Sequence, residues 1–379
     1  MKLIIRDRDV ISNQKDLIDL YCFKNFPVFM GCTNQKKETD LLADMNWSIS
    51  KNSGAIQLNP LLPLEIIYQD DHGSGCVGDL WNKHHKAFAE FVHKFFFKSV
   101  LEIGGLHGIL SKFYQNLDKK IDWTIIEPNP IPVEGVTAKF IKGYFDDNFR
   151  LNKPVDAILH SHVFEHIYDL HSFLNHISNF LSEGKHLLFS LPNLEEMMKR
   201  KYNNALNFEH TIFLTEPYIE YMLSQYHFRI IKCQYFKEDH SIFYACIKDA
   251  KVQPIKLPNN LFEHNKKIFL EYINYYDDLI QDLNAKIKML HKDQKLYLFG
   301  AHIFSQYLIS FGLNTDHLDC IIDNDSLKQG KRLYGTSFKV ASPKILKDES
   351  AVVILKAGVY SNEIKKDIIE NINSKTIFL

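Results

Sequence analysis

The sequence predicts an α/β fold with a central Rossmann-like domain, and three observations predict it. Apolar runs recur about 25 to 30 residues apart from Ser99 onward, as strands alternating with helices do; they are VLEI, WTIIE, DAILHS and HLLFSLP. Each is apolar throughout, which is typical of parallel strands covered on both faces. The first turns through Gly104, Gly105 and Gly108 into a helix, as in doubly wound folds. A last pair, FRIIKCQYF and HSIFYACIK, predicts an antiparallel hairpin that ends this domain near Lys248.

The flanking regions predict two further units. Residues 1–80 read as a small α+β domain, because FPVFMG, WSISKNSGAIQLNP and LEIIYQ are short strand-like runs broken by Gly, Asn and Pro. The helix LWNKHHKAFAEFVHKFF opens the central domain, residues 81–250. A polar linker and a long amphipathic helix occupy residues 251–285. Residues 286–379 repeat the strand, turn and helix pattern and predict a second Rossmann-like α/β domain.

Composition excludes several classes of protein. The 379 residues contain 45 Lys and Arg against 46 Asp and Glu, so no net field attracts nucleic acid or an anionic membrane. The N-terminus MKLIIRDRDV carries acids and no long apolar run, and no window is apolar enough to span a membrane. We therefore expect a cytoplasmic protein that recognises an anionic ligand, if any, through a local site.

Cysteine and histidine spacing does not predict a metal site. The six cysteines are scattered without a C-x-x-C pair, which favours reduced thiols. His160, His162 and His166 alternate across a strand end and a helix start, so we do not expect them to converge. No bound metal is expected.

The glycine turn predicts a cofactor without a pyrophosphate. Leu106 stands where a dinucleotide fingerprint has its middle glycine, which lets the pyrophosphate approach the backbone. The strand ends in Glu102, whose carboxylate suits a cation. S-adenosylmethionine fits both features, since it carries sulfonium and ammonium groups and no phosphate. A nicotinamide oxidoreductase is the competing enzyme class, which Leu106 disfavours.

Further positions complete the predicted cofactor site. Glu127 ends the next strand about 20 residues after the turn, where an acid can accept both ribose hydroxyls. Asp146 is predicted near the adenine, and His162 begins the segment bordering the methionine end. The alternative is that the glycines only turn the chain and the two glutamates are solvated strand ends.

The motifs LEIGGLHG, IIEP, SHVFEH, SLPN and NFEH, in that order, resemble the class I S-adenosylmethionine-dependent methyltransferases. More narrowly, they resemble the three-domain nucleotide-sugar C-methyltransferases of deoxysugar biosynthesis. The stretch from LYLFGAH to SPKIL resembles that family's C-terminal domain, so the resemblance covers nearly the whole chain. It implies a central class I methyltransferase domain, a nucleotide-linked sugar substrate, and a C-terminal domain that lines the substrate cleft.

Two departures from that family matter. Its N-terminal domain binds zinc through four cysteines, whereas only Cys22 and Cys32 lie clearly in this region, so zinc is expected to be absent. Its catalytic Tyr-x-Glu-His appears here as Asn207-Phe208-Glu209-His210. Loss of the phenol disfavours removing a proton beside a ketone, which requires enolate stabilisation.

We therefore favour O-methylation of a sugar hydroxyl for surface polysaccharide or deoxysugar biosynthesis. In this hypothesis His210 is the general base, Glu209 holds its tautomer or the substrate, and Asn207 occupies the place of the tyrosine. The alternatives are C-methylation of a 4-keto nucleotide sugar and a catalytically inactive nucleotide-sugar-binding protein.

Substrate contacts are predicted on both flanking units, in a monomer or small homo-oligomer. Aromatic and polar groups before and within the first long helix could contact base or sugar, a basic loop could close over the diphosphate, and the second α/β turn could take an anion at its helix start. The candidate residues are Tyr68, His72, Trp81, His85, Lys201, Gly300 and Lys328.

Overall fold

The N-terminal unit is a three-stranded antiparallel sheet in the computed structural model, which describes residues 2–68, 78–146 and 148–379. Its elements are β1 (Leu17–Pro27), β2 (Cys32–Thr33), a 3-10 turn (Lys37–Thr39), β3 (Leu42–Ser50), β4 (Ile56–Leu58) and α1 (Leu64–Ile67). The sheet order is β1-β3-β4, and β2 pairs elsewhere.

Two N-terminal elements differ from expectation. The run LEIIYQ was expected as a strand, but its residues Leu64–Ile67 form helix α1, because the carbonyl of Pro63 accepts hydrogen bonds from the amides of Ile66 and Ile67 and closes a helical turn. Strand β1 was not expected, since polar residues interrupt its apolar positions. It nevertheless buries Phe23 and Phe26 against the core.

The central domain is a seven-stranded doubly wound sheet. Its elements are α2 (Asp79–His93), β5 (Ser99–Ile103), α3 (Ile109–Gln115), β6 (Asp122–Glu127), β7 (Lys139–Lys142), β8 (Ala157–Ser161), a 3-10 turn (Phe164–His166), α4 (Leu170–Phe180), β9 (His186–Pro192), α5 (Leu194–Lys199), α6 (Glu216–Gln225), β10 (Phe228–Phe236) and β11 (Ser241–Lys248). The order is β10-β11-β9-β8-β5-β6-β7, and β11 is antiparallel to both neighbours. The remaining pairs are parallel, which confirms the Rossmann-like sheet and its terminal hairpin.

This strand order creates a crevice at one edge of the sheet. The strands β6 and β8 lie on opposite sides of β5. The connections that follow the carboxyl ends of β5 and β8 therefore run in opposite directions and leave a gap between them. Ligands of doubly wound sheets bind at such a switch point. Edge strand β7 was not expected, because its sequence KFIK is short and lysine-flanked.

The C-terminal unit is a second parallel sheet behind a long helix. Its elements are α7 (Leu261–Lys288), β12 (Lys295–Phe299), α8 (Ile303–Ser310), β13 (Leu318–Ile322), β14 (Arg332–Leu333), β15 (Val340–Ala341), a 3-10 turn (Pro343–Leu346), β16 (Ala351–Leu355), a 3-10 turn (Gly358–Tyr360), α9 (Ser361–Asp367), a π-helical turn (Ile368–Ile372) and β17 (Ile377–Phe378). The order β15-β13-β12-β16-β17 is parallel throughout. Its switch point lies between β12 and β16.

The N- and C-terminal units are joined by direct contacts. The strands β2 and β14 pair with each other in an antiparallel two-stranded sheet. Beside them, the guanidinium of Arg332 donates from both terminal nitrogens to the carboxylate of Asp40, each at 2.6 Å. The N-terminal sheet, α7 and the C-terminal unit also share one hydrophobic core.

None of the helices within the described residues is long and apolar enough to cross a membrane.

Candidate active site

The glycine turn lies at the carboxyl end of β5, at the switch point. Gly104 has φ +75°, and its amide donates to the carbonyl of Ile126 at 3.0 Å. A Cβ on Gly104 would lie 2.9 Å from a methyl group of Val163. The position therefore requires glycine both for its backbone conformation and for its close approach to the next crossover. Gly108 then precedes α3 at its N-cap.

Glu102 lies beneath this turn. Its side chain is buried, and Trp123 Nε1 donates to its Oε2 at 2.7 Å. A Cβ on Gly105 would lie only 2.7 Å from the Glu102 carboxyl carbon. Burial raises the pKa of Glu102 to about 7, against the hydrogen bond from Trp123. The carboxyl group thus supports the turn from below.

Glu127 ends β6 beside the same turn. Its Oε1 accepts a hydrogen bond from the amide of Asn129 at 3.0 Å, and the amide of Leu106 also hydrogen-bonds to the carboxylate. The side chain is 9% exposed, and burial raises its pKa. Asp146 is exposed and accepts from the amide of Asn148 at 2.9 Å. The turn, Glu127 and Asp146 all follow neighbouring strand ends.

His162 follows β8 and lies among other imidazoles. It has φ +54°, and its Nε2 hydrogen-bonds with Ser241 Oγ at 2.9 Å. One potential ligand atom each from His84, His162 and His240 lies within 4.8 Å of the others, a convergence that sequence reasoning missed. The His84 ring contacts the hydroxyl of Ser190 at 2.8 Å. Burial and the neighbouring imidazoles hold the pKa of His162 well below its usual value.

Two identical tripeptides, Phe164-Glu165-His166 and Phe208-Glu209-His210, meet in the crevice. The amide of Thr211 donates to the carbonyl of Glu165 at 2.8 Å, and His166 Nδ1 donates to the carbonyl of Glu209 at 2.9 Å. One potential ligand atom each from Glu165, His166 and His210 lies within 4.8 Å of the others. Sequence reasoning missed Glu165 and His166 as site residues, although the repeated Phe-Glu-His could have indicated them.

Burial perturbs the pKa values of Glu209 and His166 in this pair of segments. Glu165 is fully buried. Burial and the charge of Glu165 raise the pKa of Glu209 to about 7. Burial lowers the pKa of His166 to about 4, so its imidazole is neutral at physiological pH. Glu209 is therefore able to exchange a proton near neutrality, whereas His166 stays neutral there.

Two predicted catalytic roles change in the structure. The Nδ1 of His210 hydrogen-bonds to the carbonyl of Ala205 at 2.9 Å, so Ala205, and not Glu209, holds the tautomer. Asn207 is buried, and its side-chain oxygen accepts from the amides of Glu209 and His210, each at 2.8 Å. Asn207 therefore fixes the backbone of Glu209 and His210 through its side-chain oxygen.

The expected absence of converging histidines was only partly correct. His160 is fully buried and stacks on Phe189, with ring centroids 5.1 Å apart, so it joins neither cluster. His162 and His166 each join a different cluster, completed by residues from distant parts of the sequence.

The predicted substrate residues near α2 lie close to these clusters. Tyr68 is 40% exposed, yet burial of its hydroxyl and the carboxylates of Glu209 and Glu165 raise its pKa well above the usual value. Trp81 packs edge-on against His162, with ring centroids 4.9 Å apart. His85 is half-buried, and burial lowers its pKa to about 4. His72 lies outside the described residues.

Of the candidate phosphate contacts, the Gly300 turn and Lys328 are engaged within the protein. Lys201 is half-buried with φ +62°. Gly300 has φ +103° after β12, but the amide of the following Ala301 donates to Asp323 Oδ2 at 2.8 Å. The same oxygen lies 3.1 Å from Lys328 Nζ. Asp323 thus occupies the helix start and the lysine that were expected to take an anion, and an anion would have to displace it.

A comparison with protein families assigns the central part of the chain. Residues 80–232 match a family model described as a methyltransferase domain. The match begins in α2 and ends within β10, so it contains the glycine turn and both Phe-Glu-His segments. This part of the chain is therefore similar to a methyltransferase domain, which favours the predicted methyltransferase class over a nicotinamide oxidoreductase. No curated protein sequence matches the chain.

Solved structures resemble less than half of the chain. A protein described as an O-methyltransferase from Nostoc punctiforme is 14% identical, covers 45% of this chain and 57% of its own, and has a TM-score of 0.36. Human N-acetylserotonin methyltransferase, in complex with S-adenosylmethionine, is 15% identical over 45% of this chain and 57% of its own, with a TM-score of 0.33. An S-adenosylmethionine-dependent methyltransferase from Clostridium acetobutylicum is 14% identical over 46% of this chain and 93% of its own, with a TM-score of 0.34. The chain thus spans just over half the length of the first two, and likenesses this weak carry no argument about substrate.

Proposed function

We propose that the protein transfers a methyl group from S-adenosylmethionine to a hydroxyl group of a sugar, most simply a nucleotide-linked one, with His210 as the general base. The observation that carries this proposal is the state of His210. A carbonyl can only accept a hydrogen bond, so the contact with Ala205 places the proton on Nδ1 and the lone pair on Nε2. This imidazole is presented in the crevice of the methyltransferase domain.

The cofactor site is proposed at the switch point between β5 and β8. The main chain of the glycine turn would lie against the methionine part of the cofactor, and Glu127 would accept the ribose hydroxyls. Glu102 would act through the turn above it. Asp146 would lie near the adenine, and His162 would border the methionine end.

The proposed reaction is a direct displacement. The proton of the sugar hydroxyl moves to His210 Nε2, and the oxygen attacks the sulfonium methyl carbon. The new O–CH3 bond forms as the S–CH3 bond breaks, and its electron pair stays on sulfur to give S-adenosylhomocysteine. The nearby Glu209 can take the proton onward, because burial raises its pKa to about 7, close to neutral pH.

C-methylation of a 4-keto nucleotide sugar is the second candidate, and Tyr68 favours it. The sequence lacks the tyrosine of the Tyr-x-Glu-His motif at Asn207, but the Tyr68 phenol lies close enough to Glu209 and Glu165 for their charges to raise its pKa. A phenol there could stabilise an enolate, the intermediate that carbon methylation requires.

The test is product analysis with methyl-labelled S-adenosylmethionine and a panel of GDP-, dTDP- and UDP-linked sugars that includes 4-keto forms. We expect a methyl group on oxygen, located by mass and NMR, and a loss of at least about a hundredfold in kcat for His210→Ala. The matched control is His171→Ala, a half-buried histidine that contacts Tyr226 and Ile11 outside the crevice. A methyl group on carbon, abolished by Tyr68→Phe, would establish the second candidate. No transfer to any member of the panel, with labelled cofactor bound, would leave the sugar assignment without support.

A further inference from the structure

We propose that Glu165, His166 and His210 hold a divalent transition-metal ion in the crevice, with Glu209 as an adjacent carboxylate. The binding site follows from the geometry alone, whereas its role in the reaction rests on the proposed function.

The two histidines are oriented as metal ligands are. In metal sites the ring nitrogen that does not bind the ion donates its proton to a carbonyl or carboxylate, which fixes the tautomer. Here His166 Nδ1 donates to the carbonyl of Glu209 and His210 Nδ1 to that of Ala205, each at 2.9 Å. Both tautomers therefore place the lone pair on Nε2. The three residues offer ligand atoms within 4.8 Å of one another, so small side-chain rotations bring them around one ion.

The carboxylate supplies a second, independent observation. Glu165 is fully buried, and neither of its oxygens has a hydrogen-bond partner among the described residues. Its Oε1 lies 3.2 Å from His162 Nδ1 and 3.8 Å from His166 Nε2, without hydrogen-bond geometry in either contact. A buried carboxylate without a donor is costly, and a bound cation is the partner that removes this cost.

The other histidine cluster is a weaker candidate. There His84 contacts the hydroxyl of Ser190 at 2.8 Å, while His162 and His240 contact that of Ser241 at 2.9 and 2.6 Å. An ion would have to replace these hydrogen bonds, and this triad, as the described residues form it, consists of three imidazoles with no carboxylate among its members. We therefore place the ion at the Glu165 cluster and use the other cluster as the matched control.

The donor set indicates the class of ion. Two imidazoles and one carboxylate are the protein ligands of catalytic zinc sites and suit other first-row transition ions, whereas calcium and magnesium prefer oxygen ligands. An ion here would bind the acceptor oxygen and lower the pKa of its hydroxyl. In the metal-bound protein His210 Nε2 would be a ligand, so Glu209 would accept the proton that His210 accepts in the metal-free protein.

Binding is measured on the full chain, freed of metal with a chelator, by equilibrium dialysis and by the visible spectrum of added Co2+. We expect one Co2+ per chain, displaced by Zn2+, with affinity lowered more than about tenfold in Glu165→Gln and His166→Gln. In the control His240→Gln the affinity should change less than about twofold. Circular dichroism compares the folding of each variant, and His210→Gln, at a half-buried position, gives a further test if the Glu165 variant unfolds.

Co2+ binding without a defined number of ions per chain would overturn the proposed metal site. Co2+ binding that is lost in His240→Gln and retained in His166→Gln would also overturn it. These measurements need neither cofactor nor sugar, so they separate the two proposals. Full methyl transfer by metal-free protein that binds no Co2+ would refute the metal site and leave the proposed function standing. Stoichiometric binding of Co2+ by a protein that never transfers a methyl group would support the metal site and refute the proposed function.

Discussion

Replacing Glu102 by glutamine should stabilise the protein increasingly as the pH rises. The glutamine carbonyl can still accept the hydrogen bond from Trp123 Nε1, which Glu102 accepts at 2.7 Å. What the substitution removes is the cost of ionising a carboxyl group that is only 4% exposed.

The size of this effect follows from the shift in the pKa of Glu102. Burial raises it from an ordinary 4.5 to about 7, so the folded state binds a proton more tightly than the unfolded state does. The group is protonated in both states at low pH, and its unfavourable contribution grows as pH rises through the interval between the two values. Above pH 7 the penalty is complete, at about 3 kcal/mol.

The assay is urea unfolding of the wild type and Glu102→Gln across this pH range. The difference in the free energy of unfolding should rise from less than about 1 kcal/mol near pH 5 to about 3 kcal/mol near pH 8. The control Glu134→Gln makes the same change of charge at an exposed position and should give a flat difference. If the difference in the free energy of unfolding for Glu102→Gln does not change with pH, or falls as pH rises, then ionisation of Glu102 does not destabilise the folded state, and the reasoning is refuted.

Three further substitutions test the local geometry. Gly104→Ala should lower the free energy of unfolding by more than Gly184→Ala, because φ is +75° and +77° at the two positions but only Gly104 faces a 2.9 Å contact with Val163; urea unfolding of both variants measures the difference. Asn207→Ala should cost about 2 kcal/mol and lower kcat, since two backbone amides lose their acceptor, whereas Asn207→Asp keeps the acceptor and should lose less; equal losses in the two variants would contradict this positioning role. Tyr307→Phe should cost about 1 to 2 kcal/mol, because its buried hydroxyl donates to the carbonyl of Leu206 at 2.6 Å, and an unchanged thermal midpoint would contradict the contribution of this bond.

The sheet of the central domain could be predicted because its strands are buried on both faces. Uniform apolar runs then identify β5, β6, β8 and β9 without knowledge of the partners. Short or polar elements were missed because they are not buried on both faces and so lack a uniform apolar run. The sequence of β7 carries lysines at an exposed edge, and α1 depends on the carbonyl of Pro63 more than on any periodicity.

The sheet edge that carries the glycine turn and Glu127 could be predicted from the sequence, whereas the histidine clusters beside it could not. Glu127 and the glycine turn follow successive strands, and parallel topology brings such positions to one edge. The histidine clusters depend on contacts between distant segments, such as His84 on α2 with His240 in the β10-β11 turn. The role of Asn207 was also hidden, because a hydrogen bond to a backbone amide leaves no signal in the spacing of residues.

Calorimetric titration of the purified protein with S-adenosylmethionine tests the proposed cofactor site most directly. We predict saturable binding of one equivalent, competition by S-adenosylhomocysteine, and an affinity at least about tenfold lower in Glu127→Ala, which loses the acceptor of both ribose hydroxyls. Glu134→Ala, at an exposed position, should bind as the wild type does. A folded wild-type protein that binds neither compound would contradict the account.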